Sequence, residues 1–228
     1  MTHYRFARPI RYKIMDTEKK TVTHIQKGVR KILEIPGVYD LFHTLTGGNK
    51  QREKHFEQYF NLEKGSKVLD IGCGTGVLLK NLPDGVEYHG CDLEENYIEY
   101  LNEKFEGKGV FYCERVGEVI REEWKGYFDV INAHGLLHHL SDEDCDMLLE
   151  TARLYLKQGG YLVTVDSVFH KGQSKMSKWL VSKDRGQNIR TTEGYDDLAK
   201  KFYDKKETEL ITNHLRIPYS IYVMAMYK

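Results

Sequence analysis

The run Val68-Leu69-Asp70-Ile71-Gly72-Cys73-Gly74-Thr75-Gly76 constrains this chain more than any other stretch of it. A run suited to a buried strand ends in three glycines at alternate positions, and a helical pattern begins after them. Glycine is needed where the backbone turns sharply and a ligand must approach it with no Cβ in the way. In an open α/β sheet such a turn lies at the carboxyl end of the strands, where ligands bind. The surrounding pattern agrees. β-rich runs at 67–71, 86–91, 109–113, 127–133 and 160–166 alternate with helix-like stretches at 76–82, 96–105, 116–124 and 142–157, the last opening at the cap Ser141. Strand–helix alternation implies right-handed crossovers, so the expectation is a doubly wound, mostly parallel α/β sheet covered on both faces.

Outside this middle the pattern changes. Val22, Ile25, Val29, Ile32 and Leu33 recur at helical spacing over 17–35 until Pro36-Gly37 stops them. A second apolar stretch begins at Tyr39 and ends at Gly47-Gly48, and a third short helix is expected at 49–61. Residues 1–62 therefore read as an N-terminal helical cap, and 63–228 as the main domain. Within that domain, 167–192 form a polar insertion, followed by a helix at 193–202 and closing runs at 208–213 and 219–227.

Composition narrows the class. The 228 residues carry 34 Lys+Arg against 34 Asp+Glu, which weakens any reading in which the whole surface grips nucleic acid. At 40% hydrophobic and 30% charged, the chain is neither disordered nor membrane-spanning, and no apolar run nears the length of a spanning helix. The basic N-terminus lacks the apolar run of a secretory signal. Cys73, Cys91, Cys113 and Cys145 show no CxxC spacing, which argues against a disulfide framework or a zinc cluster, and no His/Asp/Glu group has metal-ligand spacing. A soluble cytoplasmic protein with no metal, no membrane contact and no nucleic-acid partner is expected.

Three ligand classes use a glycine-rich strand-to-helix turn. A P-loop needs a Lys and a hydroxyl after its last glycine, but Val77-Leu78 stand there. A dinucleotide fingerprint spaces its glycines GxGxxG, whereas Gly72, Gly74 and Gly76 give GxGxG. Asp70 would oppose a pyrophosphate and favour a cationic ligand. Asp92, at the end of the second run, suits a ribose diol; it also reads as the N-cap of the next helix.

With these residues in place, 63–166 resemble the class I S-adenosylmethionine-dependent methyltransferases. VLDIGCGTG is similar to their first motif, Cys91-Asp92-Leu93 to their acidic strand end, YFDVINAHGLLHHL to their fourth-strand motif and GGYLVTVDS to their fifth strand. The resemblance implies a seven-stranded Rossmann-like sheet with an antiparallel last strand, S-adenosyl-L-methionine as cofactor and S-adenosyl-L-homocysteine as product. It places Asp70, Gly72, Cys73, Gly74 and Gly76 around the methionine moiety, Asp92 on the ribose, Leu93 beside the adenine, and Ala133 and His134 on the cofactor's other side. The acidic adenine reader that many relatives carry after strand three is replaced by Cys113-Glu114-Arg115-Val116. Either Glu114, by a shift of register, or backbone groups of this stretch would serve.

For the acceptor, the resemblance points to a small molecule. His138 and His139 follow the fourth strand; either takes a proton from an alcohol, or both fix the loop by hydrogen bonds. Arg185 and Arg190, ahead of Tyr195, sit where acceptor-binding residues lie in this fold, with Tyr39 from the cap; the same arginines also read as ordinary loop polarity. A bacterial small-molecule subgroup is the narrower resemblance, and O-methylation of a hydroxylated metabolite or sugar derivative is the expected reaction. N- or C-methylation, an RNA or protein acceptor gripped by Arg5, Arg8, Arg11 and Lys13, and a binding protein without turnover stay open. The oligomeric state is not legible.

Overall fold

A computed structural model of the chain describes residues 58–118, 120–212 and 217–228. Strands β1 (Lys67–Ile71), β2 (Glu87–Asp92), β3 (Val110–Cys113), β4 (Phe128–His134), β5 (Leu156–Ser167), β6 (Lys205–Ile211) and β7 (Ile221–Tyr227) form one seven-stranded sheet in the order β3-β2-β1-β4-β5-β7-β6. Neighbours from β3 to β5 pair in parallel, and β7 runs antiparallel to both β5 and β6. The chain winds outward from β1 to β3, then returns to lay β4 on the other side of β1. That reversal opens a crevice at the carboxyl ends of β1 and β4, where an open α/β sheet takes its ligands.

Burial on both faces explains the near-continuous apolar strands. Along β5, Leu162 joins a core cluster with Leu69, Ile131, Leu149 and Met224, while Val163 and Val165 pack with Ile221 and Val223 on the opposite face. Side chains alternate across a strand, so one run of apolar residues supplies both layers. The edge strand β6 is mostly exposed and carries Lys205, Lys206, Glu207 and Glu209, charges that discourage pairing with another chain.

Four helices are described: α1 (Glu95–Lys104), α2 (Asp142–Tyr155), α3 (Lys175–Val181) and α4 (Thr192–Ala199). Ser141, Ser174 and Thr191 cap the last three, each side-chain oxygen accepting a backbone N–H three residues on.

Two expected helices are absent. Over 76–82 only the 3-10 turn Leu79–Asn81 forms, because Gly76 is left-handed (φ 72°) and Pro83 follows closely. Among the described residues of 116–124 only the turn Glu122–Trp124 forms, after Gly117 at φ 100°. The insertion 167–192, expected as a loop, contains α3. β5 begins directly at the end of α2, and its pairing with β4 shifts register between Phe128 and Val130, so the strand starts earlier than the glycine pair Gly159-Gly160 suggests. The expected helices at 17–35 and 39–45 lie outside the described residues; of 49–61, residues 58–61 are described, with Gln58 and Tyr59 helical and Phe60 and Asn61 not.

Candidate functional site

The ends of β1, β2 and β4 open on a cleft of about 580 Å³. At its floor, Asp70 ends β1 one residue before Ile71 and is buried. Its Oδ1 accepts from Asn132 Nδ2 at 2.6 Å and its Oδ2 from the Tyr88 hydroxyl at 2.6 Å. Register makes this trio: Asp70 and Asn132 are partners across β1 and β4, and Tyr88 reaches over from β2. Burial raises the Asp70 carboxyl, the two hydrogen bonds hold it down, and the balance lies at about 6 against an ordinary 3.8. Asn132 Oδ1, buried on the cleft wall, has no hydrogen-bond partner among the described residues.

The glycine turn is tied to β2 by Gly72 and Cys73, whose N–H groups donate to the Cys91 carbonyl at 2.8 and 3.1 Å. Asp92 Oδ2 accepts from the Gly74 N–H at 2.9 Å, and its Oδ1 from the Glu94 N–H at 3.0 Å. The second contact closes a turn ahead of α1, whose N-cap is Glu94, so Asp92 is not the helix cap that its position suggested; the first links Asp92 to the glycine turn. The glycines differ in what surrounds them. A Cβ on Gly74 would meet nothing within 4 Å, whereas one on Gly76 would lie 2.7 Å from Leu101 of α1. Gly74 thus borders open cleft, and Gly76, absent from the cleft wall, permits close packing of the turn on α1.

The rest of the wall is mixed. Leu93 is 58% exposed, a large apolar side chain opening on the cleft, with Val116, Met147 and Leu148 also lining it. Glu114 lines the cleft, but its carboxylate holds Arg121 through two bonds of 3.0 and 2.6 Å, and that guanidinium lies over the Tyr112 and Trp124 rings. Arg115 is engaged with Asp144 at 3.1 Å. His134 lines the cleft; Ala133, its neighbour, points into the core, as strand alternation demands.

The two histidines separate. His138 is buried, with Nδ1 2.8 Å from Asp166 Oδ1 and Nε2 3.5 Å from Asp184 Oδ1. Burial alone would lower this imidazole, but the two carboxylates outweigh it and raise it to about 9, so it is an imidazolium at neutral pH. Asp184 also accepts from Ser167 Oγ at 2.7 Å, from the Tyr219 hydroxyl and from the Gly186 N–H at 3.0 Å. Burial opposes its ionisation, yet His138 and these donors hold it well below the ordinary carboxylate range. His139 instead lines the cleft. Burial and the adjacent His138 charge push it down to about 4, so it is neutral. His138, His139 and Asp184 bring ligand atoms within 4.8 Å of one another, enough to hold a metal, a grouping their sequence spacing does not announce. Both ring nitrogens of His138 are already engaged by carboxylates, so its proton occupies the place a cation would take.

Of the four expected acceptor residues, Arg185 lines the cleft. The Arg190 guanidinium donates to the Leu137 and Leu140 carbonyls and to Asp142, closing the turn that carries the histidines. Tyr195 is fully buried and donates to the Ser167 carbonyl at 2.9 Å. Tyr39 lies outside the described residues. Sequence reasoning missed Asn132, Tyr88 and Asp184; the available signal for the first was a lone amide inside the apolar run Val130-Ile131-Asn132-Ala133.

Comparison with known proteins adds three findings. A family model described as a methyltransferase domain matches residues 69–162. Over 138 residues the chain is 30% identical to the ubiquinone biosynthesis O-methyltransferase of Shewanella sp. (strain ANA-3), covering 57% of this chain and 54% of that one. It is 29% identical over 124 residues to the phosphoethanolamine N-methyltransferase of Plasmodium falciparum, covering 54% of this chain and 47% of that one. The chain thus spans about half the length of these relatives. In fold it is similar to the crystal structure of a SAM dependent methyltransferase from Archaeoglobus fulgidus, with TM-score 0.65, 19% identity, and 82% of this chain and 99% of that one covered.

Proposed function

We propose, from the premise that this chain belongs to the class I S-adenosylmethionine-dependent methyltransferases, that it methylates a small molecule in the cleft between β1, β2 and β4. The observation that carries the reading is the unpartnered Asn132 Oδ1 beside buried Asp70: an acceptor and an anion at the floor of a glycine-lined cleft fit a ligand ammonium. S-adenosylmethionine, when bound, supplies a methyl group activated on a sulfonium. Asp70 and Asn132 would hold its amino group, the backbone of 72–74 its methionine moiety and Asp92 its ribose hydroxyls. Because the Glu114 carboxylate is held by Arg121, the adenine falls to backbone groups after β3 and to the apolar wall of Leu93, Val116, Met147 and Leu148.

Displacement at a sulfonium methyl depends chiefly on placing two reactants in line. The acceptor's side of the cleft belongs to His139 and Arg185. His139 is neutral and takes the acceptor hydroxyl proton on its ring nitrogen as the new O–C bond forms; Arg185 binds an anionic group of the acceptor. His138 does not reach the substrate and keeps the turn in place. O-methylation of a hydroxylated metabolite or sugar derivative is the first reading. The second is N-methylation, favoured by the low basicity of His139, since a neutral amine needs no strong base to attack.

The proposed setting is the cytoplasm, whose reducing potential suits four unpaired cysteines. No described helix is long and apolar enough to cross a membrane. Methyl-labelled S-adenosylmethionine, incubated with the protein and a metabolite extract, tests the reading. Label should enter the small-molecule fraction with wild type and not with Asp92→Ala. Label in protein or nucleic acid would overturn the substrate class, and cofactor binding without any labelled product would leave a binding protein.

A further inference from the structure

Residues 167–183 hold four lysines and no Asp or Glu, in a chain whose charges cancel overall. The middle of this segment is α3, anchored by an inner face of buried Ser177 and Val181. At about 100° per residue, Trp179 projects opposite that face, with Lys175 on one side and Met176 on the other. Trp179 is 59% exposed and Met176 57%. Lys171, Lys175, Lys178 and Lys183 are exposed around them, and none pairs with a carboxylate among the described residues.

A single exposed apolar side chain is ordinary. A tryptophan and a methionine side by side, ringed by lysines on a helix whose other face is fixed to the fold, have the make-up of a surface that enters a lipid–water interface. The indole suits that depth because its body is apolar and its N–H stays wet. We propose that α3 and its flanks dock the protein on an anionic bilayer, Trp179 and Met176 entering the headgroup boundary and the four lysines meeting lipid charge.

Other occupants fit less well. The N-terminal segment of this chain carries Arg5, Arg8, Arg11 and Lys13, of the same sign as the patch. Single-stranded nucleic acid is held by rows of aromatic rings along a basic groove, and α3 offers one ring. The patch leads directly into residues 184–190, which reach the cleft through Arg185, so docking would set the cleft mouth near the lipid surface. The proposal does not depend on the reaction performed in that cleft.

The chain has two tryptophans, and Trp124 is buried, so emission changes report on Trp179. The full chain is titrated with vesicles of phosphatidylcholine alone, and with vesicles of one part phosphatidylglycerol to two parts phosphatidylcholine. Anionic vesicles should shift the Trp179 emission to the blue, brominated acyl chains should quench it, and raising the salt should weaken the effect. Trp179→Ala or the pair Lys175→Glu and Lys178→Glu, all exposed changes, should lower the vesicle partition coefficient, measured by co-sedimentation, at least about tenfold. The proposal is overturned by no shift on either vesicle, by equal response to neutral vesicles, or by tighter binding to a single-stranded oligonucleotide at the same salt. A Trp179 contribution, taken as wild type minus Trp179→Ala, that is already blue-shifted in buffer would also overturn it, since the indole would then be covered by the chain itself.

Discussion

Two buried ionisable groups, Asp70 and His138, are displaced from their ordinary values in ways that separate ligand binding from stability. Asp70 is raised to about 6, so over pH 3.8 to 6 the unfolded chain releases its proton first and the fold loses stability as pH rises. The ionised carboxylate therefore costs the fold stability, as a group kept for the proposed ligand ammonium would. Asp70→Asn should reduce S-adenosylmethionine affinity about 10- to 100-fold, the size of one charged hydrogen bond, without lowering Tm at pH 7.5. Calorimetry on wild type should show affinity falling as pH drops through 6, and the variant should lack that slope. His138 is displaced in the same direction, but here the fold favours the charged form rather than the neutral one. Its pKa is raised to about 9 from 6.5, so its contribution is complete below pH 6.5 and is lost as pH rises through 9. Thermal unfolding from pH 6 to 10 should show that decline in wild type and not in His138→Gln. His138→Ala, which leaves Asp166 and Asp184 facing each other without a cation, should cost about 3–5 kcal/mol.

At the scale of elements, the glycine turn divides its work between ligand and packing. Both Gly74 (φ 51°) and Gly76 (φ 72°) are left-handed, so alanine is strained at either by about 1 kcal/mol. Only at Gly76 does a Cβ also strike Leu101. Gly76→Ala should therefore destabilise by about 2–4 kcal/mol, read from urea midpoints, as overpacking adds to strain. Gly74→Ala should destabilise by about 1 kcal/mol and lose cofactor affinity instead, because its Cβ enters the cleft. Equal stability losses in the two variants would remove this division. The same elements show what was legible in the sequence. Strand positions were, because burial on two faces leaves a contiguous apolar run that needs no tertiary information. The helices over 76–82 and 116–124 were misjudged because Gly76 and Gly117 adopt left-handed conformations that depend on what packs beside them. Cleft residues on the motif itself (Asp70, Gly72, Gly74, Asp92) were legible. Arg190 and Arg185, five residues apart in one loop, looked equivalent, yet one guanidinium satisfies the carbonyls of the histidine turn and the other residue lines the cleft. Asp184 was invisible for the same reason: its partners His138, Ser167 and Tyr219 come from three other segments.

For the molecule as a whole, these groups converge on one consequence. The cleft is walled by β1, β2, β4, the glycine turn and the loops after β3 and β4, so a ligand filling it joins elements from both sides of the reversal in the sheet. A ligand that binds the native state alone stabilises it by mass action, about 2.7 kcal/mol at a free concentration one hundred times Kd. In a domain of this size each kcal/mol moves Tm by about 2–4 °C, so S-adenosylmethionine at that excess should raise Tm by about 5–10 °C. S-adenosylhomocysteine should do the same, since Asp70, Asn132 and Asp92 would address the amino acid and ribose that both ligands share. Dinucleotides should not, because the GxGxG turn with Asp70 at its start opposes a pyrophosphate. Asp92→Ala should lower the shift produced by a fixed concentration of either sulfur ligand, while the Tm without ligand stays within about 2 °C, its two accepted N–H groups being partly exposed. A shift produced by NADH and not by S-adenosylmethionine would mean that the charge at the floor of the cleft has been read with the wrong sign.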